Sequence, residues 1–319
     1  MQRPHPLERT PDGVRRHVES TGVEMVDLKF SDLIGRWHHV TVPARRFMQT
    51  DMFADGISFD GSSTPGFTII EKGDLAVVPD PTTALDDPFW DAKTTSMICS
   101  VVEADTKQPF HRDPRRIAKK AEEHLVATGI ADRSLWGPEF EFYVFDRVSV
   151  ANEVNVALYE VDSVEADWNS GAEGRNLGST IPPHGGYHAI PPLDDLYNLR
   201  SRMCEMIALS GAVVHYHHHE VGGPGQSEVE LRLEPLTRMA DIGMWTKYAI
   251  RMVAHKADRS ATFLPKPLYG EAGSGMHFHQ HLFKDGEPLF YDEDGYAGLS
   301  KLALSYVAGV LSHASALCA

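Results

Sequence analysis

The sequence predicts an α+β protein in two parts, a small sheet unit over residues 1–110 and a larger unit of strands and helices over 111–319. Three observations lead there. At 319 residues the chain is long for one compact domain. Its first third reads as short strands with little helix, the pattern of a small sheet domain. The remainder alternates long amphipathic helices with strand pairs, and an apolar content of 42% is enough for sizeable cores.

The elements follow in order. A short helix is predicted at 14–20, then strands at 24–30 and 37–42 separated by the turn residues Ser31, Asp32 and Gly35. The loop Asp60-Gly61-Ser62-Ser63 precedes strands at 75–78 and 95–102. Asp113-Pro114 reads as an N-cap followed by proline at the first helical position. That helix is predicted to run to 127, with Ile117, Ala121, His124 and Leu125 on one stripe. The run Gly137-Pro138-Glu139-Phe140-Glu141-Phe142-Tyr143-Val144-Phe145 reads as a buried strand. Residues 168–192 are rich in Gly, Pro, Asn and Ser and read as a long ordered loop, a feature usually tied to function. A helix follows at 193–209, with Leu196, Leu199, Met203 and Met206 at three- and four-residue steps and Gly211 to close it. Strands at 212–220 and 228–233 flank the turn Val221-Gly222-Gly223-Pro224-Gly225-Gln226 as a hairpin-like pair. A helix at 237–258, strands at 261–264 and 275–283, and a helix at 296–319 complete the reading. The last helix has no capping glycine, cationic last turn or polar tail, so the sequence reads as cut short.

Composition narrows the function classes. A formal net charge of −15 argues against a nucleic-acid partner. No apolar run is long enough to span a bilayer, and the segment after Met1 has no targeting pattern. Cys99, Cys204 and Cys318 lie far apart with no Cys-x-x-Cys, which fits a reduced, cytoplasmic setting.

Chemistry concentrates on acidic residues in strands. Side chains alternate faces along a strand, so Glu139 and Glu141 point the same way, roughly 7 Å apart. Phe140, Phe142 and Val144 face a core. Carboxylates on strong strand formers need pairing or a cation, because burying charge is costly. Glu220 and Glu228 stand at the two ends of the predicted hairpin, which brings them together. Glu228, Glu230 and Arg232 share its polar face. His277 follows the Gly273-Ser274-Gly275 approach and alternates with apolar neighbours. Four glutamates and one histidine, without thiolates, suit Mg²⁺ or Mn²⁺ rather than structural zinc. Two ions would suit phosphoryl transfer. His215, His217, His218 and His219 form a zinc-like cluster, but isolated strand histidines are mostly core or surface residues. P-loop, dinucleotide-binding and nucleophile-elbow motifs are all missing from the sequence.

The motifs together resemble the glutamine synthetase family, from about residue 20 onward. They are Phe59-Asp60-Gly61-Ser62-Ser63, Gly137-Pro138-Glu139-Phe140-Glu141-Phe142, Trp168-Asn169-Ser170-Gly171, His218-His219-Glu220-Val221, Gly225-Gln226-Ser227-Glu228, Ala261-Thr262-Phe263-Leu264-Pro265-Lys266-Pro267, Gly273-Ser274-Gly275-Met276-His277 and Tyr296-Ala297-Gly298-Leu299-Ser300. The resemblance implies a β-grasp N-terminal domain and a catalytic domain with a curved antiparallel sheet. It implies ATP-dependent joining of ammonium-derived ammonia to L-glutamate through γ-glutamyl phosphate. It assigns Glu141, Glu220 and Glu228 to one metal and Glu139 with His277 to a second. Asp60 would bind ammonium and help remove its proton in a neighbouring subunit's site of a homo-oligomer. Ala272 and Gly273 would meet the substrate glutamate, and His279, Gln280 and His281 the nucleotide. Family members continue past residue 319 with a sixth metal ligand, substrate-gripping arginines and a flap glutamate, so the chain as given is expected to bind metal with little turnover. Three departures stand out: Ala272 where Asn is common, His281 where Ser is common, and His215 where an acidic residue is common. The rival readings are a relative that ligates another amine to glutamate and a non-catalytic homologue with a structural role.

Overall fold

A computed structural model describes residues 7–173 and 178–318. Residues 174–177 of the predicted long loop and Ala319 of the predicted last helix lie outside the described residues.

Helix α1 (Pro11–Thr21) starts earlier than predicted, because Thr10 caps it through the N–H of Gly13 and Pro11 fills its first turn. Gly22 ends it in the left-handed conformation. Strands β1 (Met25–Ser31) and β2 (Trp37–Pro43) form the predicted pair, and α2 (Ala44–Gln49) follows directly. Then come β3 (Ile57–Asp60), β4 (Asp74–Pro79), β5 (Leu85–Asp87) and β6 (Thr94–Glu103). Among the described residues the sheet order is β2-β1-β6-β4-β3, with β5 also on β6 and β1 parallel to β6. Its core gathers Val14, Leu28, Phe47, Phe67, Leu75, Val77 and Met97. The prediction lacked α2, β3 and β5, which are six residues or fewer and too short for periodicity to reveal.

Helix α3 (Pro114–Thr128) begins at the expected cap, with the Asp113 carboxylate accepting from the N–H of Arg115. Its predicted apolar stripe is a correction: Ile117, Ala121 and His124 are exposed, and the residue it buries is Arg115. The long strand β7 (Arg133–Phe145) follows. The ribbon β8 (Arg147–Glu153) and β9 (Val156–Asp162) was not foreseen, and among the described residues it forms a two-stranded sheet of its own. The predicted 168–192 loop carries no strand or α-helix in its described part. Helices α4 (Tyr197–Ala208) and α5 (Leu236–Lys256) bracket β10 (Val214–His219), β11 (Gln226–Leu231) and β12 (Glu234–Pro235). After α5 come β13 (Ser260–Thr262), β14 (Met276–Lys284), β15 (Glu287–Pro288), α6 (Lys301–Ser312) and α7 (Ala314–Leu317).

The predicted helix from 296 is also corrected. It starts only at Lys301, where the Ser300 hydroxyl accepts from Ala303 N–H, and it breaks at His313. Its apolar residues Val307 and Leu311 are exposed. No helix among the described residues is long and apolar enough to cross a membrane.

The second sheet is antiparallel, ordered β10-β11-β7-β14-β15, with β12 and β13 also on β7. Phe140, Phe142 and Val144 of β7 join Val229 and Leu231 of β11 against Met203 and Ile207 of α4 and Ile242, Trp245 and Ile250 of α5. That packing commits one face of the sheet to the core and leaves the other to Glu139 and Glu141. Two buried polar links tie the sheets together. Lys29 of β1 donates to Asp87, which also accepts from the Tyr248 hydroxyl of α5 at 3.0 Å. Arg115 donates to Asp241 of α5 at 2.9 Å and to Asp80 at 2.6 Å.

Candidate functional site

The register of the second sheet assembles the acidic residues into two cross-strand rows. In one, His218 of β10 lies opposite Glu228 of β11, which lies opposite Glu141 of β7. In the other, Tyr216, Glu230, Glu139 and His277 run across β10, β11, β7 and β14. Residues directly opposite share a face of the sheet, so strand pairing alone draws these groups together.

Glu220 joins the first row from just beyond β10. Its N–H donates to the carbonyl of Gln226 at 3.0 Å, which closes the 221–226 turn. His218, Glu220 and Glu228 each offer a ligand atom within 4.8 Å of the others. The Oε2 of Glu220 is buried with no hydrogen-bond partner. Burial, then the hydrogen bond and charge of Glu220, then the charges of Glu139 and Glu141, push Glu228 up to about 8. A buried acceptor without a donor and a carboxylate crowded by carboxylates both call for a cation. The donors are mostly oxygens, so the set fits a hard divalent ion. His218 is the residue whose place here the sequence reading passed over. Its signal was the two-residue step to Glu220, which becomes informative only once the hairpin register is known.

Glu141 is held apart from that trio by the N–H of Gly275 at 3.0 Å and the side-chain amide of Gln226 at 3.3 Å. A Cβ on Gly275 would come within 2.9 Å of both the Glu141 Oε1 and the His277 ring, so only glycine lets these groups approach. Glu139 is engaged by His279 Nε2 at 2.5 Å and His277 Nδ1 at 3.0 Å. Those contacts, His279 first, hold its acid below the usual carboxylate range against the effect of burial.

The remaining predicted residues scatter. The Ala272 carbonyl accepts from the Tyr143 hydroxyl at 2.6 Å, and the Gly273 carbonyl from the Gln226 amide at 2.8 Å. Both therefore border the Glu141 end of the cluster. Burial, aided by Glu271, Glu141 and Glu220, pushes the Tyr143 phenol up and keeps it a donor. His281 stacks on Phe290, with its buried Nδ1 unpartnered. Gln280 takes the opposite face of β14 and bonds to the Tyr306 hydroxyl of α6. Asp60 stands apart, on the N-terminal sheet. Its exposed carboxylate accepts from the Ser62 hydroxyl and N–H and from the Ser63 hydroxyl, which lowers its pKa. An apolar cleft of about 400 Å³, lined by Trp37, Trp136, Phe140, Met276 and Phe278, lies on the face of β7 and β14 away from the carboxylates.

Fold and site define a class of two-sheet α+β protein in which strand register gathers carboxylates and histidines on one face. The glutamine synthetase β-grasp domain family model matches residues 22–104, and the glutamine synthetase catalytic domain model matches residues 111–319. The chain belongs to the glutamine synthetase family. It is 44% identical to a glutamine synthetase of Mycolicibacterium smegmatis over 98% of this chain and 66% of that protein. It is 45% identical to one from Frankia alni over 97% of this chain and 65% of the relative. A solved glutamine synthetase of Plasmodium falciparum superposes with a TM-score of 0.88 at 25% identity, covering 97% of this chain and 60% of that one. The chain thus spans about two thirds of the length of the curated relatives it matches.

Proposed function

We propose that this protein joins ammonia to L-glutamate in the cytoplasm: ATP phosphorylates the γ-carboxylate and leaves as ADP, and ammonia then displaces phosphate from γ-glutamyl phosphate to give glutamine. The observation that carries this reading is the acidic face of the second sheet, where Glu220 keeps a buried oxygen without a donor beside Glu228. Glu141, Glu220 and Glu228 would hold one Mg²⁺ or Mn²⁺, with His218 in reach, and Glu139 with His277 a second. Bound there, such ions neutralise phosphate charge and align the reacting groups.

The chain's own residues do the rest. Gly275 and Gln226 fix the Glu141 carboxylate at the edge of the cluster, on the same face of the sheet. Ala272 and Gly273 border it where the glutamate head would lie. His279 and His281 share the face of β14 that a nucleotide would meet, with Gln280 bracing that strand from behind. Asp60, kept ionised by Ser62 and Ser63, attracts ammonium. Its placement on the other sheet suits a site completed by a second copy of the chain in a homo-oligomer. Ala272, where many members carry Asn, favours a second reading in which another amine is the acceptor.

The test follows phosphate release and product from ATP and L-glutamate with Mg²⁺ and ammonium, methylamine, ethanolamine or putrescine. Whatever the overall rate, product formed faster with ammonium than with the other amines is the expected result. Preference for another amine establishes the second reading. Absence of both turnover and Mn²⁺ binding would make the protein a structural homologue.

A further inference from the structure

One buried pair beside the cluster has no part in the chemistry above. His219 and Glu165 are 0% and 1% exposed, and His219 Nε2 lies 3.1 Å from Glu165 Oε2. The other ring nitrogen, Nδ1, lies 2.7 Å from the backbone carbonyl of Glu220. A carbonyl can only accept, so Nδ1 carries the hydrogen and donates it. Glu165 is itself anchored, since its Oε1 accepts from the N–H of Asp195 at 2.6 Å and its carbonyl from the N–H of Ile181 at 2.7 Å. The long loop is clamped to the same place. The His188 N–H donates to the His219 carbonyl at 3.0 Å, and the Gly186 N–H to the Val221 carbonyl at 3.0 Å. A Cβ on Gly186 would stand 2.4 Å from the Glu220 carbonyl oxygen and 2.5 Å from the His219 ring.

Glu220 lies beyond the last ladder residue of β10, where its N–H still meets the Gln226 carbonyl but strand pairing does not orient its own carbonyl. The imidazole does. We infer that the His219–Glu165 pair is a positioning device. Through a single hydrogen bond from Nδ1 to the Glu220 carbonyl, it aims the Glu220 carboxylate at Glu228 and His218 and seats the 182–190 loop beside them. This rests on the proposed reading of the cluster as a cation site. Outer partners that orient ligand groups typically govern affinity by about 10–100-fold.

The experiment uses two substitutions that differ only in which ring nitrogen they imitate. In a Glu165→Gln background, which leaves no unpaired buried carboxylate, His219→Asn keeps a donor at the Nδ1 position and His219→Gln keeps one at Nε2. Mn²⁺ affinity is read by calorimetry and metal-free stability by thermal unfolding. The Gln variant is expected to lose about tenfold or more in affinity. The Asn variant should stay near the background, with similar metal-free melting temperatures for both. Equal affinities, or affinities that merely follow melting temperature, overturn the positioning role. Gly186→Ala gives a second reading that changes neither member of the pair but presses a Cβ against both the Glu220 carbonyl and the His219 ring. Its crowding of the Glu220 carbonyl should weaken Mn²⁺ binding, and unchanged binding overturns the inference. A wild-type protein that binds no Mn²⁺ overturns the site reading itself, and the positioning role with it.

Discussion

Glu228 shows how a side chain becomes functional through its neighbours. Alone on β11 it would be an ordinary acid. Beside Glu220, and across from Glu141, its carboxyl resists giving up its proton until a cation arrives. Glu228→Gln is therefore expected to cut Mn²⁺ affinity about tenfold or more without lowering the metal-free melting temperature. Glu141→Gln should also cut affinity. Glu230→Gln should be mild, because Glu230 turns to His215 at 3.2 Å and to Tyr216. Equal losses from all three would mean the register argument is wrong. A second residue sets a pH dependence. Burial opposes ionisation of Asp27, but hydrogen bonds from His39, Lys29 and Thr41 and the charge of Lys29 prevail and hold it at about 2. A depressed carboxylate contributes stability that is present above its ordinary pKa and lost as pH falls through the folded value. The stability gap between wild type and Asp27→Asn should shrink by roughly 2 kcal/mol from pH 7 to pH 2 in urea titrations. A gap independent of pH would remove Asp27 from this role.

Among the elements, β7 is the hub, since β11, β12, β13 and β14 all pair with it. The 221–226 turn is where that hub admits no bulk. A Cβ on Gly222 would sit 2.0 Å from the Tyr143 hydroxyl and 2.7 Å from Gln226 Oε1. Gly222→Ala should destabilise the protein by about 1–3 kcal/mol. In a Tyr143→Phe background the loss should be smaller, a coupling that a double-mutant cycle reads directly. Additive effects would place the strain elsewhere. Much of this level was legible in sequence. Asp113-Pro114 announced α3, Gly211 closed the α4 segment, and the glycine-rich turn announced the β10–β11 hairpin. What escaped was short or lacked period, such as α2, β3 and the β8–β9 ribbon. The α3 stripe failed for another reason. Ile117 and Ala121 follow helical spacing, but spacing does not say what lies opposite, and α3 instead anchors through Arg115.

At the scale of the whole molecule, two polar links reinforce an apolar seam in which Leu85 and Phe89 of the N-terminal unit pack into the second core, Phe89 against Trp245 and Tyr248. Arg115 is 8% exposed and bridges Asp80 at the end of the N-terminal sheet to Asp241 on α5. Removing one partner of a buried pair strands the other charge, so Arg115→Met should cost about 3–5 kcal/mol in urea unfolding. Arg115→Met combined with Asp241→Leu should cost less than Arg115→Met alone. A larger loss in the double variant would show that the link is not electrostatic. The same arrangement places Asp60 on a different sheet from the carboxylate rows, which is why its proposed role calls for a second copy of the chain.

The sequence by itself determined the two-part α+β class, the family resemblance, and the alternation that puts Glu139 and Glu141 on one face of a strand. Those are local matters, decided by residue type, period and motif order along the chain. Which groups meet was decided by tertiary structure. Only strand register sets Glu228 against Glu141 and His218, and only the buried His219–Glu165 pair turns the Glu220 carbonyl. Such contacts join residues far apart in the chain, and their partners are selected by hydrogen-bonded pairing and burial, which no local pattern encodes.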